Sequence, residues 1–225
     1  MEIQNSTLKI TFKPSELKIQ DNVRQVDWFI SDDMDTFIPS NIKTLNITLA
    51  TQCTGFIEKT IDRVVAPFVT SFSNLPAEGV YFDLNSLKEF PAGEVYPNLK
   101  FFRNSSMDGF DFDYYVSRMW NIERLILNEQ VGEIFIPDKY CKQFIAPKMK
   151  YHDSLNNTTF KNELIYLDIR SAEGDIDLDQ MPNLEYLNAS NATSVHGSPS
   201  KLNILIVGAN TSVSLNTSAP SIIRV

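Results

Sequence analysis

The chain has 225 residues, of which 43% are hydrophobic, and a net charge of −8. That is enough apolar material to bury a sizeable core as one large domain or two small ones. An acidic balance with no basic face excludes a general nucleic-acid binder, because phosphate contacts require clustered Lys and Arg.

From the N-terminus, "STLKITFKPSELKI" (Ser6–Ile19) alternates Leu8, Ile10 and Phe12, which predicts a strand-like capping segment over residues 1–22. It has no basic stretch followed by an apolar one, so nothing in it reads as a leader. Beyond it the pattern apolar-x-x-apolar-x-apolar recurs. Its first copies are Val23/Val26/Trp28, Ile42/Leu45/Ile47 and Ile61/Val64/Ala66, each 19 residues after the last. A weaker copy fits at Ala77/Val80/Phe82. "YPNLKFFRNSS" (Tyr96–Ser106) supplies Leu99 and Phe102 with a polar Asn104 in the third place. Next come Ile122/Leu125/Leu127, Cys141/Phe144/Ala146 and Leu164/Leu167/Ile169. "MPNLEYLNASN" (Met181–Asn191) gives Leu184/Leu187/Ala189, then Leu202/Leu205/Val207 follow, and a partial copy falls at Ile222 and Val225. About eleven units, 16 to 23 residues apart, thus fill residues 23–225.

In an extended segment successive side chains point to opposite faces, so positions 4 and 6 of each unit point inward and 3, 5 and 7 outward. A single strand cannot bury its inward row alone; stacked copies form a parallel sheet over a continuous core. A second apolar pair follows 10 to 14 residues into several units: Phe110/Phe112, Ile134/Ile136, Ile176/Leu178 and Val213/Leu215. The spacing of two predicts short extended segments on the outer side, with Pro97, Pro137, Pro182, Pro199 and Pro220 turning the chain near unit boundaries. "DYYVSRMWNIE" (Asp113–Glu123) differs, since Tyr115, Met119 and Trp120 share one helical face and predict a short helix. The chain stops at "APSIIRV", inside the opening strand of another unit, which predicts a longer parent chain or a partner covering that end.

"LNILIVGAN" (Leu202–Asn210) fits all four fixed positions of Leu-x-x-Leu-x-Leu-x-x-Asn. On these residues the chain resembles the leucine-rich-repeat family, as an irregular member. The asparagine position elsewhere holds Ala50, Met107, Gln130, Ala172 or Ala192. The resemblance implies an α/β, right-handed, β-rich solenoid with a parallel inner sheet and short strands, turns and few short helices outside. It also implies a protein-recognition role.

Chemistry is sparse. No phosphate loop, zinc-protease helix or nucleophile elbow is present, and the two histidines, His152 and His196, lie in turn-like settings. "DGFDFDY" (Asp108–Tyr114) and "GDIDLDQ" (Gly174–Gln180) imitate calcium ligands. Alternation instead places Ile176 and Leu178 inward and Asp175, Asp177 and Asp179 on a solvated face, so no metal or other cofactor is expected. Cys53 and Cys141, 88 positions apart, read as buried free thiols. The longest apolar run, Ile204–Val207, is far too short to span a bilayer.

Asn-x-Ser/Thr triplets begin at nine asparagines: Asn5, Asn46, Asn104, Asn156, Asn157, Asn188, Asn191, Asn210 and Asn216. They leave two readings open, a secreted or cell-surface glycoprotein and an Asn-rich repeat that generates such triplets at its turns. The absent leader favours the cytoplasm or nucleus. The outward strand positions hold the best candidate binding residues: Phe101, Arg103, Arg124, Tyr166, Asp168, Arg170 and Tyr186. Tyr and Arg dominate interface energy by combining apolar area with directed hydrogen bonds. The expectation is a non-catalytic scaffold that binds another protein, of basic character, through the inner sheet face.

Overall fold

The computed structural model describes residues 2–13, 17–105, 118–128, 132–134, 141–151, 162–216 and 220–225. They form two compact units, the first reaching Ser105 and including Arg118–Trp120, the second beginning at Asn121.

The first unit opens with a hairpin of β1 (Glu2–Gln4) and β2 (Thr7–Ile10), paired antiparallel across a turn where Asn5 and Ser6 take positive φ. From β2 onward the pairing is parallel, through β3 (Gln25–Trp28), β4 (Thr44–Ile47), β6 (Arg63–Val65), β8 (Tyr81–Asp83) and β9 (Phe101–Asn104). Between these rungs the chain closes each coil along a second side, where β5 (Gln52–Cys53) pairs parallel with β7 (Ser71–Phe72). A third side is marked by the parallel bridge of Ile38 to Ile57. The register stacks Leu8, Val26, Leu45, Val64, Phe82 and Phe102 in one inward column, all buried.

The second unit repeats the plan. Its main sheet runs β10 (Arg124–Leu127), β12 (Gln143–Ile145), β14 (Tyr166–Asp168), β16 (Tyr186–Ala189), β18 (Ile204–Val207) and β20 (Ser221–Arg224), all parallel. The other side of its coils pairs β11 (Gly132–Ile134) with β13 (Met149–Tyr151), and β15 (Asp175–Asp177) with β17 (Ser194–Gly197) and β19 (Ser212–Leu215). Ile176 and Leu178 are buried, as alternation requires.

Both units are therefore right-handed parallel β-solenoids, and the α/β leucine-rich-repeat assignment is corrected. A leucine-rich-repeat horseshoe returns from strand to strand through a helix or similar outer layer. Here the return is itself extended and hydrogen-bonds to the next return. Helix among the described residues is confined to residues 162–163 and a 3₁₀ turn at Leu178–Gln180. The helix predicted over Asp113–Glu123 falls partly outside the described residues; Arg118–Glu123 is turn and irregular chain.

Two registers also shift. Phe82 pairs with Val64 and Phe102, so it holds position 4, with Leu84 in position 6; the sequence pattern had placed Val80 and Phe82 there. Position 1 of that rung falls on Gly79, which is buried, and a Cβ built there would lie 2.4 Å from the Phe82 ring. The ring fills the volume that Val23, Ile42 and Ile61 fill in the preceding rungs. At the last rung Ile222 pairs with Leu205, three places away from the pattern's assignment. Asn104, polar in an inward place, is 1% exposed and donates through Nδ2 to the Leu84 and Leu87 carbonyls at 2.8 Å each, closing the turn of the preceding coil.

Candidate recognition face

Six of the seven predicted binding residues lie in strands of the main sheets, and Arg170 lies in the turn just after β14. In the first unit, pairing places Arg63, Tyr81 and Phe101 in one row, a rung apart. The Tyr81 and Phe101 rings stack with centroids 4.1 Å apart and planes 3° from parallel, and the Arg63 guanidinium carbon lies 3.9 Å from the Tyr81 centroid. Two places along, Arg103 grips Asp83 with two bonds: Nε donates to Oδ1 at 2.7 Å and Nη2 donates to Oδ2. Asp83 is buried although it points outward. The hydrogen bonds to Asp83 raise the Arg103 pKa against its partial burial, holding it as a cation.

In the second unit the corresponding row is Arg124, Gln143, Tyr166, Tyr186 and Ile204. Tyr166 and Tyr186 stack at 4.2 Å and 2°. Arg170 donates from Nε to Asp168 Oδ1 at 3.0 Å and from Nη2 to Oδ2 at 2.8 Å. Asp168 is 3% exposed, so this outward carboxylate belongs to an internal pair and meets a ligand only through its arginine. Burial, followed by the hydrogen bond to Tyr186, pushes the Tyr166 hydroxyl up to about 12. Arg124 is exposed two rungs from Tyr166.

Sequence reasoning missed Arg63, Tyr81 and Asp83. Aligning Phe82 with Val64 and Phe102 would have put Tyr81 in line with Phe101, but Gly79 hid that register. Both units thus set a bidentate Asp–Arg pair beside a stacked aromatic pair, the former made between neighbouring rungs in the first unit (Arg103 to Asp83) and within one rung in the second (Arg170 to Asp168). The rings stack along the strand-stacking direction, so each pair covers one face of either ring.

The remaining candidates among the described residues are engaged within the fold. Asp177 accepts from Asp179 N at 3.0 Å, Asp175 from Ser194 Oγ at 2.6 Å and Asp179 from Ser198 N at 2.6 Å. Among the described residues no group of three or more His, Cys, Asp or Glu is placed to hold a metal ion. His196 sits in β17 with Nδ1 3.9 Å from Asp177 Oδ1, while His152 and "DGFDFDY" lie outside the described residues. Burial pushes both the Cys53 and Cys141 thiols up to about 12. Among the described residues no helix is long and apolar enough to cross a membrane. Comparison with protein-family models, curated protein sequences and solved structures finds no match for this chain.

Proposed function

We propose that this chain is a non-catalytic recognition scaffold that binds another protein through the outward face of its main sheets. The carrying observation is the duplicated aromatic-pair and Asp–Arg constellation. Stacking and bidentate pairing fix four side chains in advance, so little rotamer entropy is lost when a partner arrives. Affinity capture with the whole chain and with a Tyr166→Ala/Tyr186→Ala variant tests it: a partner held by the parent and released by the variant is expected. Partners retained undiminished by that variant and by Phe101→Ala/Arg103→Ala count against it.

The glycoprotein reading draws support from Asn5, Asn191, Asn210 and Asn216, which are exposed. Against it, Asn104 uses the very nitrogen that a glycan would occupy, and Asn46 donates the same atom to Asp27 at 2.7 Å. Glycan on Asn104 in folded protein, detected by a glycosidase-dependent mass shift of its peptide, would favour that reading over a scaffold that folds unmodified.

A further inference from the structure

The first unit carries a second surface, away from the row described above. Extending the β2–β3–β4–β6 register three places past Lys9, Asp27, Asn46 and Val65 reaches Phe12, Ile30, Leu49 and Phe68. The bonds from Phe29 N to Ile10 O and from Thr48 N to Trp28 O keep the rungs aligned as the chain turns this corner. Neighbouring rungs sit about 4.8 Å apart, so these residues form a continuous apolar ridge, with Phe29 beside it. In the second unit the same repeat position holds Lys148, Ser171, Asn191 and Ala209. The fold therefore does not require an apolar residue there.

Seven residues further along the coil from Ile30 and Leu49 stand Phe37 and Phe56, stacked with centroids 6.2 Å apart. Phe12, Leu49, Phe68, Phe37 and Phe56 are each 51 to 56% exposed. Between the two apolar lines lie Asp32, Asp33 and Asp35. Lys13 is the cation they share: it pairs with Asp35 at 2.8 Å, and that hydrogen bond, then the charges of Asp35, Asp32 and Asp33, raise its pKa. Three carboxylates against one ammonium leave the strip negative.

We infer that this banded surface docks an extended segment of a partner protein with a basic centre and apolar residues on both sides. The inference rests on the reading of the chain as a recognition module but uses none of the residues that reading places in contact. Seven residues of chain span no more than about 25 Å, so a nine-residue extended segment, about 30 Å long, reaches from one apolar line to the other. Excess negative charge between the lines selects a cationic centre and disfavours an anionic bilayer, which would meet the same carboxylates.

The test uses fluorescence anisotropy of a labelled nine-residue peptide with three Arg flanked on each side by Leu and Ser. Saturable binding in the micromolar range is expected, weakened at least tenfold when Glu replaces Arg, when Ser replaces Leu, or in a Leu49→Ser/Phe68→Ser variant. Because those side chains are exposed, the variant should keep the parent melting temperature; Phe37→Ser/Phe56→Ser is the second variant. Asp32→Lys should weaken the Arg peptide and strengthen the Glu peptide. Tyr166→Ala/Tyr186→Ala should leave the affinity unchanged, which separates this surface from the sheet face. No binding up to about 1 mM, equal binding of the Arg and Glu peptides, or co-sedimentation with phosphatidylcholine or phosphatidylserine vesicles that the Ser variants abolish would each overturn the inference.

Discussion

Asn104 shows how one polar atom stabilises a coil. Its Nδ2 donates to two backbone carbonyls of the preceding turn, that of Leu84, which also accepts from Leu87 N, and that of Leu87. Replacing it with Ala should cost about 1–3 kcal/mol through the two lost hydrogen bonds, measured as the shift in urea-unfolding free energy. The sequence marks Asn104 as a break in an apolar column, but its two acceptors lie in the neighbouring coil and were not legible. Tyr166 gives a pH signature. Its folded-state pKa is raised from 10.0 to about 12, so the native chain keeps a proton that the unfolded chain sheds. Its contribution is complete below pH 10 and is lost as pH rises towards 12. Stability of the parent should decline more steeply over that window than stability of Tyr166→Phe, as followed by urea midpoints.

Within single rungs, the inward columns were the most legible feature, because strand periodicity alone puts Leu167 and Leu187 in register and in the core. Leu167→Ala should lose about 2–5 kcal/mol. The outward assignment of Tyr166 and Tyr186 was equally legible; their stacking was not, since it depends on rung pairing. Tyr186→Ala should therefore cost about 0.5–1.5 kcal/mol from the lost stack alone, with its lost buried area added. Gly79 is where periodicity misleads. Its missing side chain looks like a gap in the pattern, yet the Phe82 ring already occupies that volume. Gly79→Ala should destabilise by about 1–3 kcal/mol through overpacking. A Gly79→Ala/Phe82→Leu double variant should lose less than the sum of the two changes, read from a double-mutant cycle in urea.

At the scale of the molecule, the repeat was plain in the sequence but its family was not. A return of a dozen residues accommodates either a helix or two short strands, and an inward strand pattern is common to both architectures. The spacing of two in Ile176/Leu178 and Val213/Leu215 was the signal that decides it, since a helical return would space its apolar residues by three and four. Far-UV circular dichroism should accordingly show a spectrum dominated by β-structure.

The two cysteines acquire a use at this scale. One lies in each unit, both are buried, and burial raises the pKa of both thiols. Stability in stacked repeats is carried by nearest-neighbour interfaces, and Cys141 lies two residues before β12, the strand that pairs Phe144 with Leu167. The chain thus contains its own pair of internal gauges, each sensing the opening of its own stretch of coils. Under pulsed alkylation with peptide-resolved mass spectrometry, Leu167→Ala should accelerate labelling of Cys141 well beyond that of Cys53. Equal acceleration at both would mean that the chain opens as one.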